Sequence, residues 1–511
     1  MISLVHAITV NGLDTTVVDI EVDINNGLPA FTIVGLPDQW VPESKERLRS
    51  ALKSSNAKIP PNRITVNLAP ANIKKSGPSF DLGIAIGILL DQGYIGNDEL
   101  VRDSIFLWEL SLDGSLRHIP SVLPATIWAR EKGFKRIFIP VENVKEASII
   151  PDIEVIKVKN LSDLIDILNK DKEYASEPVL DLASLRDGVL DSSYDFSHII
   201  GQAHAKRALE IAAAGWHNIL MEGPPGSWKT LLAKSFATIL PDLTLDEAIE
   251  ISKIYSISGL LSNENPLVTE RPFRSIHHTA SSVSIIGWGT QAKPGEISLA
   301  HKWVLFLDEI LEFQKTVLEV LRQPLEDGEI TVTRENASYN YPAKFSLVWA
   351  MNPCPCWYLS DPDKECICSA KQISNYRWRL SGPLLDRVDM YIEVPKVPTE
   401  DFRKSRDILA ESSSSVQKRV QTARNIQLER FKDMSVWANS EMSSKDIKLL
   451  CKLDSESEWI LSSAVKSMNL SARSYYRILK LSRTIADLEN TENITQVHIL
   501  EALSYRKREE D

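Results

Sequence analysis

A glycine-rich loop between an apolar segment and a helix constrains this chain more than any other feature. The loop consists of Gly223, Pro224, Pro225, Gly226, Ser227, Trp228, Lys229 and Thr230. It follows the apolar segment 218–221 and opens a predicted helix over 231–236. This order predicts a phosphate-binding P-loop, because backbone N–H groups and a helix N-terminus surround phosphate oxygens. Lys229 is predicted to reach the β- and γ-phosphates of ATP, and Thr230 to ligate Mg²⁺.

Two later apolar strands also end in polar residues. The segment 304–307 ends in Asp308 and Glu309. Asp308 is predicted to hold the Mg²⁺ shell, and Glu309 to polarise the attacking water. The segment 346–351 ends in Asn352, which suits a sensor role that orients this water. The alternatives are a chance match in a domain that binds no nucleotide and, for Asn352, a turn-forming residue before proline.

Five motifs together resemble one family. They are GPPGSWKT, VLFLDE, VLRQPLEDGEIT, MNPCPC and SGPLLDRVD, in this order. The chain resembles the YifB/ComM family of magnesium-chelatase-like AAA+ ATPases over nearly its whole length. The resemblance implies a homo-hexamer in which Arg387 is an arginine finger that reaches a neighbouring subunit's nucleotide. It also implies that Arg473 is the sensor-2 arginine of a helical lid. A surface Arg387 paired with Asp386 or Asp389 is the alternative.

Strand and helix signals predict an α/β protein with a helical C-terminal region. Predicted strands cover 31–35, 64–68 and 136–140, and predicted helices cover 42–54, 81–92 and 161–170. With the resemblance, the expected organisation is a Lon-protease-like (ribosomal S5 domain 2-like) α/β domain, a linker, an AAA+ P-loop α/β core and a helical lid. These parts are expected over 1–172, 173–193, 194–397 and 398–511.

The N-terminal part carries a motif similar to the serine motif of Lon-like proteases. Ser79 would occupy the position of the nucleophile. A Ser–Lys dyad needs a lysine to accept the hydroxyl proton. The segment 119–124, which aligns with the lysine-bearing stretch, contains no lysine. Proteolysis is therefore not expected, and the alternative is a tight turn that caps a helix.

Four cysteines follow Asn352 closely. They are Cys354, Cys356, Cys366 and Cys368. Four thiolates in so short a segment can hold a tetrahedral Zn²⁺. Free buried cysteines or a redox-labile pair are the alternatives. The fifth cysteine, Cys451, has apolar neighbours and is expected in the core.

Tryptophan occupies positions at which family members usually carry glycine. These positions are Trp108, Trp216, Trp228, Trp288, Trp303 and Trp357, and Trp349 occupies a small-residue position. The chain has 21 Gly and 12 Trp, whereas an average composition gives roughly 36 Gly. A UGA codon that encodes glycine in the source organism, but is translated here as tryptophan, explains the whole set. The rival hypothesis is a genuine Trp228, which would abolish ATP binding.

Composition bounds the compartment and the partners. The chain has 511 residues, a net charge of −11 and no apolar run long enough to span a bilayer. The N-terminus lacks the pattern of a signal peptide, and five cysteines fit a reducing compartment. A cytoplasmic protein without a membrane partner is expected. The negative charge leaves DNA contacts to local basic loops, most plausibly inside a ring.

Three functions remain open. The first is a hexameric DNA motor for branch migration during recombination. Its pore-facing candidates are Arg274, His277, His278, Lys293, Arg334 and Lys344, which alternatively pack between subunits. The second is a chelatase-type ATPase that drives metal insertion in a partner. The third is a catalytically dead ring scaffold, which follows if Trp228 is genuine.

Overall fold

The computed structural model describes most of the chain. The described residues are 2–35, 40–71, 80–96, 98–180, 194–262, 264–271, 273–288, 293–334, 337–359, 361–397, 411–468 and 470–506. Three features named above lie outside these ranges. They are Ser79, residues 181–193 of the proposed linker and residues 398–410 at the proposed lid boundary.

The N-terminal part is built on a mixed sheet. Its strands are β1 (Ser3–Asn11), β2 (Asp14–Asn25), β3 (Ala30–Val34), β4 (Arg63–Ala69), β5 (Ser104–Phe106), β6 (Glu109–Leu110), β7 (Leu116–Arg117), β8 (Arg136–Pro140) and β9 (Glu154–Val158). Seven of them form one sheet in the order β3-β4-β2-β1-β5-β8-β9. The β1–β2 and β2–β4 pairs are antiparallel, and the other pairs are parallel.

Helices cover this sheet because their apolar residues need burial. They are α1 (Trp40–Ser54), α2 (Asp81–Asp91), α3 (Asp98–Arg102), α4 (Val122–Glu131), α5 (Val144–Ala147) and α6 (Leu161–Leu168). Helix α2 is apolar on all sides and packs on β1 and β2 with most of its residues buried. Its first residue, Asp81, is fully buried and accepts a hydrogen bond from Arg47 at 2.7 Å.

The central part contains a parallel sheet. Its strands are β10 (Ile219–Glu222), β11 (Phe273–Ile276), β12 (Gly287–Trp288), β13 (Lys293–Pro294), β14 (Val304–Leu307), β15 (Glu329–Arg334), β16 (Ala337–Pro342), β17 (Ser346–Met351) and β18 (Met390–Glu393). Five strands pair in the order β11-β14-β17-β10-β18, all parallel. Strands β12–β13 and β15–β16 form separate two-stranded ribbons. The carboxyl ends of all five parallel strands therefore lie along one edge.

Helices surround the parallel sheet and make up the C-terminal part. Those of the central part are α7 (Ala203–Gly215), α8 (Lys229–Ala237), α9 (Leu245–Ser258), α10 (Ser282–Ile286), α11 (Glu296–Leu299), α12 (Lys315–Val320), α13 (Arg322–Asp327), α14 (Ala370–Arg377) and α15 (Gly382–Leu385). Those of the C-terminal part are α16 (Ser413–Arg430), α17 (Ser444–Leu450), α18 (Ser455–Ser467), α19 (Ala472–Leu488) and α20 (Gln496–Ser504). The predicted α/β class with a parallel core sheet and a helical C-terminal region is confirmed.

Shared hydrophobic clusters join the parts. Helices α16 and α19 pack on α7, and their apolar residues form one cluster with those of β10 and α8. A second cluster joins α4 of the N-terminal part to α9 of the central part. At this contact Ser256 donates a hydrogen bond to the buried Glu146 at 2.5 Å. Among the described helices, none is both long and apolar enough to cross a membrane.

Candidate nucleotide-binding site

The candidate site residues meet at the carboxyl edge of the parallel sheet. Strand β10 leads into the P-loop, and the loop leads into α8. Strand β14 ends beside Asp308 and Glu309, and β17, which lies between β14 and β10, ends at Asn352. The structure therefore brings together the P-loop, both acids and the candidate sensor. Ligands of open α/β sheets bind at this edge.

Lys229 is folded onto its own loop. Its Nζ donates hydrogen bonds to the carbonyl oxygens of Gly223 at 2.7 Å and Pro224 at 2.9 Å. It also lies 3.5 Å from Oδ1 of Asn352. Burial lowers the pKa of Lys229 to about 8, although nearby Asp308 and Glu309 favour the charged form. A buried ammonium whose partners are all neutral oxygens, including the Ser227 hydroxyl at 3.4 Å, is ready to exchange them for anionic oxygens.

Thr230 and Asp308 form the candidate magnesium position. The Thr230 hydroxyl donates to Oδ2 of Asp308 at 2.9 Å. The other carboxylate oxygen, Oδ1, accepts the backbone N–H of Glu309 at 3.0 Å. A hydroxyl and a carboxylate oxygen in contact provide the hard oxygen ligands that Mg²⁺ prefers.

Glu309 has an unusual backbone. Its φ is 50°, in the left-handed region that non-glycine residues rarely adopt. This conformation turns the chain sharply between β14 and the short turn over 310–312, so the carboxylate is left about half exposed. Backbone strain of this kind is concentrated at functional sites.

The glycines of the loop fit close approach by a phosphate. Gly226 has a φ of 77°, and a Cβ there would meet open space. A Cβ on Gly223 would lie 2.2 Å from the Val394 carbonyl oxygen, which excludes any side chain. The loop and donor set therefore fit a nucleotide triphosphate with magnesium, apart from residue 228.

Trp228 conflicts with the backbone that carries it. It precedes α8 with a φ of 73°, and its half-buried indole packs on the cluster that α8 shares with the C-terminal helices. Trp216 and Trp357 also have positive φ, at 61° and 73°. The left-handed conformation costs an L-residue roughly 1–2 kcal/mol and costs glycine nothing comparable. Trp303 does not have a positive φ. The side chain of Trp288 lies outside the described part of the structure.

Four buried indoles also lack the hydrogen bond that their N–H group needs. Within the described part of the chain, no partner is found for Nε1 of Trp108, Trp216, Trp303 and Trp349. A buried unsatisfied donor costs roughly 1–3 kcal/mol. Glycine, or a small residue at 349, removes this cost.

Arg387 and Arg473 share a pocket away from the P-loop. The pocket has a volume of about 300 Å³, and none of the described P-loop residues lines it. Arg387 pairs with Glu326 at 2.7 Å rather than with Asp386 or Asp389. Arg473 lies 3.5 Å from Asp386 and is largely exposed. Arg477 and Lys480 of α19 line the same pocket. Sequence reasoning missed them, because nothing local in the sequence marks this proximity to Arg387.

The four clustered cysteines converge directly after Asn352. Their sulfur atoms all lie within 4.8 Å of one another. Cys354 lies 3.4 Å from Cys356 and 3.7 Å from Cys366, sulfur to sulfur. Tetrahedral zinc with Zn–S bonds of about 2.3 Å requires S–S distances of about 3.8 Å. Hydrogen bonds from backbone N–H groups, chiefly that of Tyr358, lower the pKa of Cys356 to about 6.

Several of the residues predicted to face a pore make contacts within the chain. Arg274 is held by the Tyr255 hydroxyl at 2.6 Å and by Glu296 at 3.5 Å. Lys344 pairs with Glu441 at 3.2 Å. His278 lies beside Glu309. This contact follows from the parallel pairing of β11 with β14, because the two residues come shortly after the ends of these strands. The side chain of Arg334 is outside the described atoms.

Family models match along nearly the whole chain. Residues 195–402 match the model of the magnesium chelatase subunit ChlI, 20–143 match a second ChlI model, and 410–506 match the ChlI C-terminal model. The magnesium-chelatase 38 kDa subunit of Rhodobacter capsulatus is 27% identical over 31% of this chain and 50% of its own.

Several relatives match this chain nearly end to end. The competence protein ComM of Haemophilus influenzae is 44% identical over 99% of this chain and 97% of its own length. YifB of Escherichia coli, an uncharacterised protein, is 38% identical over 99% and 97%. With this coverage and the P-loop edge described above, the chain belongs to the ComM/YifB family of magnesium-chelatase-like proteins.

Proposed function

We propose that this protein binds ATP at the carboxyl edge of the parallel sheet and hydrolyses it. Two contacts at this edge carry the proposal. Lys229 lies within hydrogen-bonding distance of Asn352, and Thr230 lies within hydrogen-bonding distance of Asp308. Lys229 binds the β- and γ-phosphates, and Thr230 and Asp308 hold Mg²⁺, which neutralises phosphate charge. Glu309 orients and polarises water, and Asn352 holds that water against the phosphate.

Glu309→Gln tests the assignment of the general base. The variant should bind ATP normally but lose at least about 10²-fold in kcat, because an amide cannot accept the proton of the attacking water. Binding is measured by titration with a fluorescent nucleotide, and turnover by phosphate release. Glu312→Gln, in the same short turn, is the matched control and should retain activity. Normal hydrolysis by Glu309→Gln would refute the role. Both variants belong in the Trp228→Gly background.

The finer function proposed is that of a hexameric DNA motor that drives branch migration during recombination of incoming DNA. End-to-end similarity to a competence protein supports it. The chelatase-type alternative is supported by the magnesium-chelatase family models and by a relative that matches about a third of the chain. DNA-stimulated ATPase activity discriminates between the two: stimulation by branched DNA supports the motor, and unchanged turnover with DNA argues for the alternative.

We further propose that Cys354, Cys356, Cys366 and Cys368 hold a structural zinc. Strand β17 runs through Asn352 into Cys354, and the segment that carries the cysteines is tied to Lys396 through Asp363 at 2.5 Å. A tetrathiolate site would therefore fix the chain on the far side of Asn352. The zinc has no open position for substrate in this arrangement, so its role is to brace the sensor.

Elemental analysis tests the zinc. Protein purified under reducing conditions, without chelator, should carry about one zinc per chain. Cys366→Ser should lose the metal, and kcat should fall several-fold because Asn352 is no longer held. Cys451→Ala is the matched control, since Cys451 is buried among apolar residues and distant in sequence. The absence of stoichiometric zinc from the unmodified protein would contradict the proposal.

A further inference from the structure

His278 is placed beside the catalytic carboxylate by the strand register. Strand β11 pairs in parallel with β14, and Ile276 lies opposite Leu307. His277 and His278 directly follow β11, and Asp308 and Glu309 directly follow β14. The two dipeptides therefore leave the sheet side by side. This neighbourhood depends on the position of β11 at the edge of the sheet, beside β14.

The side chains meet where the register brings them. Nδ1 of His278 lies 3.7 Å from Oε2 of Glu309. Both side chains are partly exposed, at 32% and 46%, so a small rotation can close or open this contact. The imidazole is confined by its neighbours. The His277 ring packs against it at a tilt of 34°, with 4.1 Å between the ring centroids, and Phe313 meets it edge-on at 6.5 Å.

His277 anchors the arrangement. Its Nδ1 contacts the Thr279 hydroxyl at 2.8 Å, and its carbonyl accepts the N–H of Ala280 at 2.9 Å. Beyond this turn the chain enters α10 and the β12–β13 ribbon. His278 thus joins the catalytic carboxylate to the start of an insertion between β11 and β14.

We propose that His278 is a positioning residue for Glu309. Its imidazole N–H holds the carboxylate in the rotamer that faces the water. The strained backbone of Glu309, with a φ of 50°, fixes Cβ but leaves the side-chain rotamer undetermined. A neighbouring donor is therefore needed to select one orientation. This inference rests on the proposed ATPase function of the same site.

Turnover of His278→Ala tests the inference, again in the Trp228→Gly background. We expect kcat to fall about tenfold or more, because a misplacement of about 1 Å can cost up to 10²-fold. The KM for ATP should stay within about twofold, since no contact joins His278 to the P-loop among the described residues. His278→Asn keeps an N–H donor and should recover most of kcat, a rescue that a merely structural role does not predict. His118→Ala, an exposed histidine of the N-terminal part, is the control.

The outcomes separate the inference from the function on which it rests. A His278→Ala variant with unchanged kcat, alongside an inactive Glu309→Gln variant, overturns the role of His278 and leaves the ATPase intact. A parallel rise in KM, or a lower unfolding temperature that His278→Asn does not restore, also overturns it. If Glu309→Gln hydrolyses ATP normally, the assignment of the catalytic carboxylate itself fails.

Discussion

The Trp228→Gly variant should bind ATP about 10³-fold more tightly than the chain with tryptophan at 228, a difference of about 4 kcal/mol. Residue 228 stands at the N-terminus of α8 with a φ of 73°, where phosphate oxygens need direct access to backbone N–H groups. Glycine adopts this backbone freely and removes both Cβ and the indole. Isothermal titration with ATP and Mg²⁺ measures the difference.

A control and a direct reading of the native protein make this test decisive. Trp378→Gly replaces an exposed tryptophan with a φ of −67° at the end of α14, and it should leave ATP binding unchanged. Peptide mass spectrometry of the native protein should find glycine at 216, 228, 288, 303 and 357. Tryptophan detected in the native 223–230 loop would end the hypothesis of a reassigned codon. It would instead favour a ring that does not turn over ATP.

The Arg387→Ala variant should lose roughly 10³–10⁵ in kcat, the usual contribution of an arginine finger. Arg387 pairs with Glu326 and lines a pocket that none of the described P-loop residues enters. An arginine in this position is suited to a nucleotide on a neighbouring copy, with Arg473 beside it in the proposed sensor-2 role. Activity of the Trp228→Gly protein should therefore rise cooperatively with concentration as rings assemble.

Mixed rings distinguish action on a neighbour from action within one chain. Mixing Arg387→Ala with Lys229→Ala, both in the Trp228→Gly background, should restore part of the activity, because some interfaces then combine an intact P-loop with an intact arginine. Arg49→Ala, on the exposed face of α1, should behave like the unmodified chain. If mixed rings are shown to assemble but recover no activity, Arg387 acts on the nucleotide of its own chain or has only a structural role.

Much of the site could be predicted from the sequence because its signals are local. A glycine loop between strand and helix, and polar residues at the ends of apolar strands, specify their own conformation within a few residues. The predicted helices at 42–54, 81–92 and 161–170 are present as α1, α2 and α6 with small shifts at their ends. The closely spaced cysteines likewise needed only a short loop to converge.

Contacts between distant segments could not be predicted in this way. The contact between His278 and Glu309 depends on the order of the strands in the parallel sheet. The pocket that Arg387 and Lys480 both line depends on how α19 packs on the central part. The hydrogen bond between Ser256 and Glu146 depends on how α9 meets the N-terminal part.

The sequence by itself determined which chemical groups the proposed sites contain: a glycine-rich loop, two acids, an amide and four thiols. Each is encoded by residue types at fixed short spacings, so the backbone geometry follows from local preferences. The tertiary structure alone decided which strand end faces which, and which arginines share a pocket. Those choices follow from the burial of apolar faces far apart in the chain, and no short segment contains the information about its eventual neighbour.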